Sequence, residues 1–121
     1  MCEHTFVSSK GHPHAHFLHS IELGQLLSAE TAARQLGRLS HADALALTLL
    51  IKEQAPARFP RTAARWHARL VMDTAEIGLG DSQLLLAALD ALPDRPAAKA
   101  LSELCRRYRI ANVDAVLRHR R

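Results

Sequence analysis

The segment from Ser40 to Ile51, SHADALALTLLI, limits the possible folds of this chain more than any other stretch. Its start carries the signals of a helix N-terminus. Ser40 offers a capping hydroxyl, and Asp43, three residues on, places a carboxylate near the positive end of the helix dipole. Beyond that, Ala42, Ala44, Leu45, Ala46, Leu47, Leu49, Leu50 and Ile51 leave no polar face. A helix that is apolar all round must be covered on every side. The segment therefore predicts a central helix, over about 40 to 54, wrapped by others.

Alanine and leucine dominate the chain, β-branched runs are absent, and the aromatics are only Phe6, Phe17, Phe59, Trp66 and Tyr108. Both dominant residues are strong helix formers. With 121 residues, 48% of them hydrophobic, the chain can bury a core and is too apolar for disorder. The expected fold is all-α: a single compact domain of about six to seven helices in antiparallel hairpins, as a bundle or a short solenoid-like stack. No internal repeat of fixed period supports a true solenoid.

The other elements follow from periodicity and stop signals. Residues 1–12 are polar and contain histidine, which predicts a loop-like extension. Pro13 suits a first turn, and Phe17, Leu18, Ile21, Leu23 and Leu26 continue at helical spacing. Ser28 reads as the cap of a short helix over 29–36, with Gly37 just past its end. Pro56 and Pro60 predict a turn and then a helix from 60 to about 77. Gly78-Leu79-Gly80 reads as a linker, with Asp81 or Ser82 capping a fifth helix through Leu92. Asp94 caps a sixth, over 95–108, and Asn112 a last one carrying Val113, Val116 and Leu117. The helical domain is thus expected over 13–110, with 111–121 as a short basic helix or tail.

The fifth helix is also nearly apolar all round, through Leu84, Leu85, Leu86, Ala87, Ala88 and Leu89. Two such helices are hard for one small domain to cover. Either both are core, or part of the fifth, with Leu85, Leu86 and Leu89 as contact residues, meets another chain.

The net charge is +4 and unevenly placed. Residues 1–55 hold four basic and five acidic side chains; residues 56–121 hold twelve and seven. The excess is concentrated in Arg106, Arg107, Arg109, Arg118, Arg120 and Arg121, which share one acid, Asp114. Such an end can bind nucleic acid, an acidic partner or an anionic surface, or it can be a solvated helix end. Upstream, Arg58 precedes Arg61, Arg65 and Arg69, which align on one helix face beside Trp66. Arginine next to an aromatic suits a protein hot spot or a nucleic-acid backbone. The alternative is a solvated face whose arginines pair with Asp73 or Glu76 while Trp66 anchors the core.

Other motifs are weaker. Glu30 to Leu47 has the rhythm of a helix-turn-helix, but the base-reading positions would be His41, Ala42, Asp43 and Ala44, which lack the donors base edges need. Packed helices explain the rhythm better. His12, His16 and His19, with His4, His14 and Cys2 nearby, have helical spacing for a zinc site, or for adventitious metal, without a C-x-x-C or H-E-x-x-H signature. His67 reads as a core or boundary histidine. No nucleophile elbow, phosphate loop or carboxylate pair is found, so no enzyme and no cofactor are expected.

Cys2 and Cys105 do not make a disulfide framework. The first residues lack the apolar core of a signal peptide, and no apolar run reaches the roughly 20 residues that span a bilayer. A cytoplasmic protein with no membrane partner is expected. The segments LSHADALALTLLIKEQAPARFPRTAARWHARLV and LLLAALDALP resemble small Ala/Leu/Arg-rich, uncharacterised helical proteins of high-GC actinobacteria, over residues 13 to 108. That resemblance implies a bacterial cytoplasmic origin and a helical fold, and carries no functional residues over. The reading that follows is a non-enzymatic helical module that binds another protein or itself. The alternative is a nucleic-acid-binding accessory protein that uses the arginines.

Overall fold

Seven α-helices and one 3-10 turn account for the described chain, and no strand occurs among the described residues. The computed structural model describes residues 2–119, with side chains over 12–118. The helices fall into two compact units, one ending at Ser40 and the other spanning His41–Arg121. Sequence pattern pointed to divisions near residues 12 and 110 instead. It missed the boundary because Gly37 to Ser40 is too short to look like a linker.

The first unit is a hairpin of α1 (Cys2–Leu23) and α2 (Leu26–Leu36). Helix α1 begins about ten residues before the expected start and runs through Pro13. Proline forfeits one intrahelical bond there, but no second proline upstream stops the helix. Gly24, at φ 72°, turns the chain. Its N–H reaches Ile21 O at 3.1 Å and that of Gln25 reaches Ser20 O at 2.9 Å, satisfying carbonyls that α1 leaves open. Ser28 lies inside α2 and is not its cap. Its hydroxyl meets Ser20 Oγ at 2.9 Å and His16 Nε2 at 3.1 Å, tying the two helices. Phe17, Ser20, Ile21, Ala29 and Ala32 are buried. Gly37 ends α2 at φ 81° and ψ −70°, and Arg38 N–H closes on Leu36 O at 3.0 Å. That is the strained form of a three-residue turn, for which glycine is the natural occupant.

The second unit is built on α3 (His41–Gln54). No residue from His41 to Lys52 is exposed, as an all-apolar helix demands. A 3-10 turn at Pro56–Arg58 leads into α4 (Phe59–Asp73), and then come α5 (Leu79–Ala91), α6 (Arg95–Arg107) and α7 (Val113–His119). Sequential helices pack on one another, and α7 returns to α3 and closes the unit. Residues 111–119 are therefore part of this core and not an appended tail: Val113 and Leu117 are buried in it with Leu45, Trp66, Leu70, Leu85, Leu89 and Leu101.

Helix α4 stops at Asp73, four residues early, where the chain turns so that Ile77 can enter the core. Gly78 caps α5, so Gly80 and Asp81 lie within its first turn. After α6, Arg109 adopts φ 61°. Arg109 N–H bonds Arg106 O at 3.1 Å, and Ile110 N–H bonds Cys105 O at 2.8 Å. This is the Schellman pattern, with arginine where glycine is usual. No helix among the described residues is long and apolar enough to cross a membrane.

Candidate functional site

The periodicity of α5 sets its inner and outer faces. Leu85, Ala88, Leu89 and Leu92 recur at helical spacing and are buried, with Leu85 and Leu89 at 0% exposure. Leu85 and Leu89 therefore hold the core together and are closed to any partner, a correction to their reading as contact residues. Of the three named leucines only Leu86 reaches the surface, at 37% exposure. The opposite face carries Leu79 at 77% and Leu84 at 48%, with Ala87 and Ala91 also exposed. Gln83 and Asp90 are its main polar residues. Its residues are legible from the inner-face spacing once one buried position is known, but an all-apolar run hides which side that is.

This face is held rigidly. His67 Nε2, on α4, lies 2.8 Å from Ser82 O and 2.9 Å from Ser82 Oγ. A carbonyl only accepts, so Nε2 carries the proton and cannot take one from the serine. The pair fastens the start of α5 to α4 and is not an activated nucleophile. Asp81, in the first turn of α5, accepts hydrogen bonds from Tyr108 Oη and from Arg107 at 3.1 Å. The Tyr108 bond lowers the Asp81 pKa against partial desolvation, with Arg107 assisting, and the same bond raises that of Tyr108. At the far end, Lys52 Nζ donates to Asp90 O at 2.7 Å and to Leu92 O, and lies 4.7 Å from the Phe59 ring centroid. A cation there satisfies the last carbonyls of α5 and complements its dipole. No local motif announces this role for Lys52, because its partners are distant in sequence.

The arginine row of α4 divides. Arg58, Arg61 and Arg65 are exposed, whereas Arg69 is half-buried and pairs with Asp73 at 3.6 Å. Asp73 also meets His41 Nε2 at 3.2 Å. Trp66 is 3% exposed and donates its indole N–H to His41 O at 2.9 Å. It is a core anchor and not a surface hot spot, because its helix position aligns with Phe59, Ala63 and Leu70.

The basic end is partly neutralised. Arg106 pairs with Asp114 at 3.0 Å, and Arg107 with Asp81 at 3.1 Å. Ser102 Oγ also donates to Asp114, and that bond, with Arg106 next, holds the Asp114 carboxyl below the usual range. Arg109 and Arg118 are exposed; Arg120 and Arg121 lie outside the described residues. Cys105 is buried under this end, and burial, with Asp114 adding, pushes its thiol up to about 12.

His12, His16 and His19 are exposed on α1, but no group of three His, Cys, Asp or Glu able to hold a metal forms among the described residues. The expected triad is corrected on that ground: His16 is engaged by Ser28 of α2, and sequence spacing alone does not converge three rings. The Cys2 and His4 side chains lie outside those described. No protein-family model, curated protein or solved structure matches this chain.

Proposed function

We propose that the chain is a non-enzymatic binding module that docks another protein, a second copy of itself included, on the outer face of α5. The carrying observation is the exposure of three leucines on the outer side of α5, Leu79 and Leu86 along one edge and Leu84 along the other, with Gln83, Ala87 and Asp90 between them. Both helix ends are clamped, by His67 and Asp81 at the start and Lys52 at the finish, so the face is presented without disorder to overcome. Fully burying a leucine is worth about 2 kcal/mol, so covering the exposed fractions of these three yields roughly 3 kcal/mol. Micromolar affinity needs about 8 kcal/mol. The face therefore anchors a partner that adds contacts of its own, and does not support a tight complex alone.

The alternative, nucleic acid, draws on the α4 and C-terminal arginines, of which Arg69, Arg106 and Arg107 already pair with carboxylates. Affinity capture from the source cells, comparing wild type with Leu84→Glu/Leu86→Glu, tests the proposal. A partner, or a second copy, retained by wild type and lost by the variant supports it. Identical capture by both overturns it, as does recovery only of nucleic acid that salt removes.

A further inference from the structure

We propose a second recognition surface: the groove formed by α3, the α5–α6 link, α6 and α7 receives an acidic amphipathic helix from a partner protein. It is distinct from the outer face of α5. A cleft of about 300 Å³ opens there, floored by Leu49, Leu92, Pro93, Ala98 and Leu117. Its size is at the lower end for ligand sites and suits one or two inserted apolar side chains. Lys52 forms one wall, but its ammonium is committed to the α5 carbonyls and to the Phe59 ring. Glu53 stands at the same edge.

The cleft continues, through the shared Ala98 and Leu117, into a polar groove. That groove presents Lys99, Arg106 and Arg118 against a single carboxylate, Asp114, with Ser102 between. Asp114 is bonded to Ser102 and paired with Arg106, which leaves Lys99 and Arg118 as the excess positive charge of the groove. The surface is therefore apolar at one end and positive at the other. Its complement is a helix whose apolar side chains recur at i, i+3 or i+4 and whose glutamates or aspartates flank them at the α7 side. Nucleic acid fits less well. No aromatic lines either part for a base to stack on.

Fluorescence anisotropy with a synthetic helix-forming peptide, leucines on one stripe and glutamates along its flank, tests this. The companion probes are the same peptide with lysine for every glutamate, and a single-stranded oligothymidylate. Wild-type protein is expected to bind the acidic peptide about tenfold or more tightly than the basic one, since opposed like charges each cost on the order of a tenfold change. Lys99→Glu/Arg118→Glu alters two exposed side chains and is expected to invert that preference, which unfolding would not do. Ala98→Met, which fills the cleft, is expected to weaken the acidic peptide on wild-type charges. The Leu84→Glu/Leu86→Glu variant is expected to bind normally; loss there assigns the peptide to α5 and overturns the proposal. Equal binding of the two peptides to wild type, no effect of Ala98→Met, or displacement of the peptide by oligothymidylate also overturns it.

Discussion

Leu85 and Leu86 are adjacent, chemically identical and on the same helix, yet they should respond very differently to truncation. Leu85 is fully buried in the core of the His41–Arg121 unit. Replacing it with alanine removes the transfer energy of the lost methyls and leaves a cavity that rigid neighbours fill poorly, a cost of about 3–4 kcal/mol. Leu86 is 37% exposed and can lose its side chain without enclosing a void. Part of its transfer energy remains at stake, about 1 kcal/mol. For a unit of this size 1 kcal/mol moves Tm by roughly 4–8 °C, so Leu85→Ala should lower it by about 12 °C or more and Leu86→Ala by under about 8 °C. Trp66, the sole tryptophan, lies in the same core, so its fluorescence in a urea or thermal titration reports this unit. Equal losses for the two variants would refute the assignment of inner and outer faces, and with it the docking surface.

Further outcomes follow from the same geometry. Arg109→Gly should stabilise the protein by about 0.5–1 kcal/mol, because glycine adopts the left-handed conformation at Arg109 without a Cβ penalty; a lower urea midpoint would contradict this. Gly37→Ala should cost about 1 kcal/mol from backbone strain alone, since the added Cβ meets open space. Asp81 and Asp114 have lowered folded pKa values, so their contribution is present above the ordinary carboxylate value of 3.8 and is lost as pH falls through the lower folded values. Urea midpoints of wild type should decline below about pH 4, and those of Asp81→Asn/Asp114→Asn should decline less. Cys105, with its thiol pushed up to about 12 and buried, should resist iodoacetamide at pH 8 in a Cys2→Ser background until urea unfolds the unit; prompt labelling of native protein would contradict its burial.

What could be read from sequence was whatever a local pattern controls. The seamless apolar run of α3 required burial, and the glycine after Leu36 marked the end of α2. Faces of α4 were readable because Phe59, Ala63, Trp66 and Leu70 share one stripe, although the arginines beside it drew Trp66 toward the surface. In α5 the apolar run carries no such contrast. Leu84, Leu85 and Leu86 look alike in sequence, and only packing on α4 and α6 separates them. The contacts joining Lys52 to Asp90 and Leu92, Asp81 to Tyr108, and Asp114 to Ser102 span residues far apart or in different helices, so no spacing rule reveals them. The same reason hid the cleft, whose floor is drawn from separate elements. Histidine spacing on α1 suggested a ligand set that the side chains do not assemble.

The docking role of the outer face of α5 is tested most directly by in-cell alkylation of a Leu84→Cys protein in the Cys2→Ser background, against Ala57→Cys as an exposed control on the 3-10 turn. In dilute purified protein both introduced thiols should react rapidly. Inside the source cells the thiol at position 84 should be protected relative to the control, because a partner covers it. Equal rates at both positions, in cells as in the purified protein, would contradict a protein-docking function for this face.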